Sequence, residues 1–190
     1  TVHFTRLQYH QDADGMLYPD KSGYKNWFTD FNDGSGKSMD AQLATIVRRL
    51  TQIDMEPKTV AITDKIYDFP FIYTVEPEQM VLNADEAQQM REWLRRGGFW
   101  MLDDFHGCDE MRRVRHELEK VDSEFTFTSL TVEHAIFHTV FDINEIVQVP
   151  VVNIGYLSQR NPDTSTSEQI ECGEPDILLW DGGSDDGKIL

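Results

Sequence analysis

Gly97-Gly98-Phe99-Trp100-Met101-Leu102-Asp103-Asp104-Phe105-His106-Gly107 is the stretch on which the fold of this chain turns. Two glycines stop the segment before them, a short run of large apolar side chains follows, and the run breaks into two carboxylates, a phenyl ring, an imidazole and a glycine. An unbroken apolar run of this length marks a strand buried on both faces, as in a parallel sheet. The polar residues at its end fall where open α/β sheets hold ligands, because the strand-to-helix turn exposes side chains and helix N–H groups together.

Outward from this strand, helices and further strands alternate. Upstream, Asn83 followed by Glu86 has the reciprocal pattern of a capping box, so a helix begins there and runs to Arg96, where Gly97-Gly98 stops it. Downstream, Asp109 and Glu110 stand where carboxylates favour a helix start, and that helix continues through Leu118. Residues 60–63 and 69–75 read as strands, the second with Pro70 in its opening turn. Ser38 can cap a helix in which Met39, Leu43, Ile46, Val47, Leu50 and Ile53 recur at helical spacing, and that stripe is expected to pack on the sheet. Phe4-Thr5-Arg6-Leu7-Gln8-Tyr9 alternates at period two and reads as the first strand. This rhythm predicts an α/β fold, a three-layer sandwich with a mainly parallel central sheet and right-handed crossovers.

The remaining segments are less regular. Residues 10–37 form a polar, Gly- and Asp-rich loop that also holds Tyr18, Tyr24, Trp27, Phe28 and Phe31, aromatics that either tack the loop to the core or serve a function. Residues 125–130 and 146–152 read as strands, 161–173 as a surface loop, 176–180 as a strand or a turn, and 188–190 as the start of a strand.

Composition bounds the function. The chain has 190 residues, 39% of them hydrophobic, enough for one domain with an ordinary core. Acidic residues number 34 against 17 basic ones, and the net charge of −17 repels phosphate backbones, so nucleic acid is not an expected partner. No apolar run approaches the roughly 20 residues that cross a bilayer. No basic and apolar leader precedes Thr1, and the compartment stays open. Cys108 and Cys172 lack C-x-x-C spacing; a disulfide and two free thiols both stay open.

The strand end concentrates the candidate chemistry. Asp103, Asp104, His106, Asp109 and Glu110 offer oxygen and nitrogen ligands suited to a divalent cation, with Asp103, Asp104, His106 and Glu110 as the candidate metal ligands. The same residues also have structural uses, as first-turn carboxylates, a helix cap, or ion pairs with Arg112 or Arg113. His134 and His138 stand four apart, the spacing of zinc ligands on one helical face, but the intervening Ala135-Ile136-Phe137 is too apolar and β-prone for a clear helix. Arg91, Arg95, Arg96, Arg112, Arg113 and Arg115 read as solvated helix faces paired with nearby Glu, and Trp93 and Trp100 as core.

Taken in order, Phe4-Thr5-Arg6-Leu7-Gln8-Tyr9, Trp27-Phe28-Thr29-Asp30-Phe31, Tyr67-Asp68-Phe69-Pro70-Phe71-Ile72-Tyr73, the capped helix, the 97–107 segment, His134-Ala135-Ile136-Phe137-His138 and Gln148-Val149-Pro150 resemble a bacterial family, domain of unknown function 4159. The resemblance covers most of the chain. It implies a class I glutamine amidotransferase-like fold, a flavodoxin-like sandwich, over residues 1–190 as a single domain whose last strand or terminal segment is cut short. It also implies an extracytoplasmic or periplasmic placement, with the cytoplasm left open, and it supplies no reaction.

The wider fold carries a test. Active class I amidotransferases place a cysteine in a Gly-x-Cys-x-Gly elbow and activate it with a downstream His-x-Glu pair. Here the elbow reads Asp103-Asp104-Phe105-His106-Gly107, and aligning it to that pattern puts Phe105 in the nucleophile slot, where a benzyl group cannot attack a carbonyl. Glutaminase activity is therefore not expected; a nucleophile built on Cys108 and a histidine is the residual variant. Two readings follow. One is a noncatalytic module that binds a small ligand or a protein partner through Asp104, Phe105, His106, Gly107 and His134. The other is a hydrolase, with or without a divalent metal, that uses Asp103 or Asp104 as base or metal ligand and His106, alone or with His134, as acid or second ligand.

Overall fold

A computed structural model describes residues 1–11, 27–31, 38–105, 107–145, 178–181 and 188–189. The expected strand at 146–152 and loop at 161–173, most of the 10–37 loop, His106 and Cys172 lie outside the described residues, as does the side chain of Cys108.

The strands are β1 (Val2–Gln8), β2 (Met55–Ala61), β3 (Phe71–Val75), β4 (Phe99–Asp103), β5 (Phe127–Ser129), β6 (Leu178–Asp181) and β7 (Lys188–Ile189). The helices are α1 (Met39–Thr51), α2 (Ala84–Arg95) and α3 (Gly107–Val121). They build one sheet in the order β2-β1-β3-β4-β7-β6-β5. The first four strands in that order run parallel, and β7 continues parallel to β4. The edge formed by β5 and β6 is antiparallel. The α/β class and the parallel central sheet read from the sequence are therefore present. Among the described residues no helix is long and apolar enough to cross a membrane.

Side chains alternate cleanly across the central strands. Leu7, Ile72 and Trp100 are fully buried on one face and join Met90, Trp93 and Leu94 of α2 and Val114 and Leu118 of α3 in one core cluster. The fully buried indole of Trp100 donates to Thr74 Oγ1 at 2.8 Å, so its polar edge costs nothing there. On the opposite face Phe4 packs on Phe71 and Tyr73, and Phe71 stacks on Phe99. The buried Arg6 also belongs to this face, and α1 lies over it.

α1 is rotated relative to the expected orientation. Ser38 does cap it, accepting the Ala41 amide at 3.1 Å. The apolar stripe, however, does not enter the sheet: Met39, Leu43, Ile46, Leu50 and Ile53 are exposed, whereas Asp40 and Ala44 are buried. The reason is Arg6, 2% exposed, whose guanidinium is held by both Asp40 oxygens, at 2.9 and 2.5 Å. A buried cation requires its counterion more than the sheet requires another leucine.

Other boundaries moved for local reasons. β2 begins at Met55, five residues before the expected start, because Pro57 is tolerated on an edge strand whose outward N–H groups have no ladder to join. The capping box is complete, with Asn83 Oδ1 accepting the Glu86 amide at 2.9 Å and Glu86 Oε2 accepting the Asn83 amide at 3.0 Å. Gly97 ends α2 with a φ of 89°. At Gly98 a Cβ would come within 2.4 Å of the Trp93 ring carbons, so the two glycines answer different demands, one conformational and one steric.

Candidate functional site

The strand order reverses between β1 and β3, since the chain leaves β1 for β2 on one side and later returns to β3 on the other. Open α/β sheets place ligands beyond the carboxyl ends of the strands at such a point. Here those ends carry Tyr9 and His10 after β1, Val75 and Glu76 at β3, and Asp103 and Asp104 at β4.

Backbone bonds lock the three ends together. The Glu76 amide donates to the Asp103 carbonyl at 3.0 Å. The buried Tyr9 hydroxyl lies 3.1 Å from the Val75 carbonyl and 2.9 Å from that of Glu76, and can donate to either. Glu76 and Asp104, with φ of 49° and 62°, both take the left-handed conformation that disfavours side chains. Strain of this kind, about 1–3 kcal/mol per residue, collects at ligand-handling turns and persists only where the surroundings enforce it.

Asp103 is positioned rather than free. Its Oδ2 accepts the Tyr73 hydroxyl at 3.0 Å and its Oδ1 accepts the Asp104 amide at 2.9 Å. Tyr73 in turn lies over the Arg6 guanidinium, 5.1 Å from ring centroid to charge. Arg6 also donates to the carbonyls of Thr29 at 2.9 Å and Trp27 at 3.3 Å and sits against the Phe31 ring, so one buried cation fastens the 27–31 segment beside the strand ends. The aromatics at Trp27, Phe28 and Phe31 thus do tack their segment to the core, packing on one another and on the central cluster.

The other candidate residues separate by role. Asp104 is exposed at the turn itself, between β4 and α3. It is therefore Asp104, and not Phe105, that takes the left-handed elbow position, while Phe105 packs against the core cluster. Gly107 opens α3, which puts Asp109 and Glu110 in its first turn. His134 caps the short 3-10 turn Ala135–His138, its Nδ1 accepting the Ile136 amide at 3.3 Å. His138 is held within the same turn by Asp142 and the Val132 carbonyl at 3.1 and 2.9 Å, so the two histidines serve local structure rather than a shared helical face. Among the described residues no group of three or more His, Cys, Asp and Glu side chains could hold a metal ion. An open groove of about 1010 Å³ lies along α2 instead, lined by Leu82, Arg91, Arg96 and Lys120 among others. Three of the cations that line it are committed to structure: Arg91 donates to the Val121 and Lys120 carbonyls at the end of α3, Arg96 pairs with Glu92, and Lys120 pairs with Glu117.

Sequence reasoning missed Arg6, Asp40, Tyr73, Glu76 and Tyr9. The available signal was Arg6 itself, a cation within an alternating strand pattern, which demands a partner wherever it turns inward.

A family model described as a domain of unknown function, DUF4159, matches residues 4–176. The chain belongs to the DUF4159 family. No curated protein and no solved structure matches it. In this DUF4159 domain, then, the chemistry at the strand ends has to be argued from its own geometry.

That geometry makes a pH prediction. Burial above all, and then the charges of Glu78 and Glu76, push the Tyr9 hydroxyl well above its ordinary 10.0. Burial, followed by the charge and hydrogen bond of Asp103, does the same to Tyr73. A group whose folded pKa is raised contributes stability that is complete below the unfolded value and disappears as pH climbs toward the folded one. Stability should therefore fall once pH passes about 10, the unfolded tyrosine range. In an alkaline titration the phenolate absorbance of these two rings should appear together with the loss of circular dichroism, and Tyr9→Phe and Tyr73→Phe should each remove part of that late step. Ionisation of both rings in the still-folded protein would contradict this account.

Proposed function

We propose that the DUF4159 domain is a noncatalytic binding module, an amidotransferase-like, flavodoxin-like fold that receives a ligand at the β1/β3 switch point and the Asp103–Asp104 strand end. The observation that carries this reading is the division of labour at the elbow. Phe105 docks into the core, Asp103 is fixed by Tyr73, and the exposed Asp104 occupies the left-handed turn. A rim of carboxylates held by protein donors accepts hydrogen bonds and positive charge, so the ligand it suits presents N–H, O–H or ammonium groups. His106 and Gly107 follow Phe105 directly in sequence, and this reading counts both among the ligand-binding residues. Extracytoplasmic placement belongs to this proposal, since a secreted or periplasmic binding module meets such ligands outside the cell.

The competing hydrolase reading draws on the carboxylate density, with Asp104 as base or as one ligand of a divalent cation. One comparison separates the two. Thermal stability of the chain and of Asp104→Asn, which keeps the shape and removes the charge, is measured with Mg²⁺, Mn²⁺, Ca²⁺, Zn²⁺, polyamines and sugars, alongside ester hydrolysis. A binding module gives an amine or hydroxyl ligand that raises the melting temperature of the parent chain and not of Asp104→Asn, because a ligand held only by the folded state stabilises it. Ester turnover that vanishes in Asp104→Asn, or a metal-specific shift that does so, supports the hydrolase and sinks the binding reading.

A further inference from the structure

α1 leaves its largest apolar side chains unused. Met39, Leu43, Ile46, Leu50 and, just past the helix, Ile53 are 37–68% exposed, while the sheet receives Asp40 and Ala44 from the other side of the same helix. Their spacing is four, three, four, three. That is the a/d seam of a heptad repeat, whose 3.5-residue period keeps one stripe against a neighbouring helix. Val47, half-buried, lies beside this seam, whereas every exposed large apolar side chain of the helix falls on it.

The chain itself narrows what can complete the seam. α2 and α3 spend their apolar stripes on the central core. Among the described helices α1 is the one whose heptad seam is uncommitted, so a second α1 is its fitting partner.

We propose that α1 is a self-association surface, on which two copies pack their α1 helices antiparallel about a twofold axis near Ile46. Charge fixes the direction. Within residues 38–53 the charged side chains are Asp40, buried against Arg6, and Arg48 and Arg49 in the last turn. A parallel pair brings the arginine ends together. An antiparallel pair separates them, opposes the helix dipoles, and sets Arg49 near the partner's Asp30; within one copy Asp30 is exposed, and its carbonyl accepts the Met39 amide at the start of α1. Stable dimers bury about 800 Å² per partner, and a seam on a helix of this length supplies roughly half of that. The association is accordingly weak, in the range of about 1–100 μM.

The test is the mass of the chain by analytical ultracentrifugation from about 1 to about 200 μM, spanning that range. The mass is expected to rise with concentration from the 22.0 kDa of one chain toward twice that value. Ile46→Glu and Leu50→Glu replace exposed residues, so both should keep the parent circular dichroism and melting temperature while staying monomeric. Thr45→Glu, exposed but off the seam, should associate like the parent. A chain that remains at 22.0 kDa throughout, or a dimer that survives both seam substitutions, overturns the proposal.

Discussion

Asp40→Ala is expected to destabilise the domain by about 3–5 kcal/mol, the usual cost of leaving a buried charge without its counterion. Arg6 is 2% exposed and donates four hydrogen bonds, two to the Asp40 carboxylate and two to the carbonyls of Trp27 and Thr29. Removing the carboxylate leaves a full charge balanced only by neutral carbonyls and by the faces of Tyr73 and Phe31. Domains of this size shift by about 2–4 °C per kcal/mol, so the melting temperature should drop by roughly 6–20 °C. The same loss should loosen the 27–31 segment, which hangs from the guanidinium, and disturb Tyr73 and the carboxylate it positions. Arg6→Met with Asp40→Leu should recover most of the stability, since a well-packed apolar pair replaces a buried ion pair at little net cost. An Asp40→Ala protein within about 1 kcal/mol of the parent would mean that the guanidinium reaches water by another route, and the account of α1's orientation would fall with it.

That orientation shows where sequence reading works and where it stops. The capping box at Asn83 and Glu86, the Ser38 cap and the Gly97-Gly98 stop were legible because each is a contract between residues within a few positions. The face that α1 turns to the sheet was not, because Arg6 and Asp40, 34 residues apart, decide it. Helical periodicity reports that a stripe exists and says nothing about whether the sheet or another body will take it. The candidate site divides in the same way. The carboxylates at the end of β4 were visible as an abrupt change from apolar to charged residues. Their inequality was not: Tyr73 anchors Asp103 across a neighbouring strand, and Asp104 takes the strained turn because the chain must reverse between β4 and α3. The early start of β2 has a related cause, since the cost of Pro57 depends on whether its strand lies at the edge or the centre of a sheet, a fact of topology.

Gly98→Ala carries the second large effect, and its cause is steric. The added methyl would come within 2.4 Å of the indole carbons of Trp93, a residue 2% exposed and therefore without open space to retreat into. The ring is also fixed in direction, because its Nε1 donates to the Phe69 carbonyl at 2.7 Å and the Gly98 amide donates to the Trp93 carbonyl at 3.1 Å. Relief therefore requires the α2 terminus to move off β4, or Trp93 to surrender its hydrogen bond and its packing. The expected cost is about 3 kcal/mol, at the upper end of the range for overpacking a core. Gly97→Ala is the natural comparison. Its penalty is conformational, from the positive φ at an exposed position, and should amount to about 1 kcal/mol. A second substitution isolates the mechanism. If the clash is with the indole, Gly98→Ala should cost much less in a Trp93→Leu background than in the parent, because the smaller side chain vacates the volume the methyl enters. Equal costs in the two backgrounds would place the constraint in the Gly98 backbone instead, and would detach the start of β4, and with it the height at which Asp103 and Asp104 emerge, from the packing of α2.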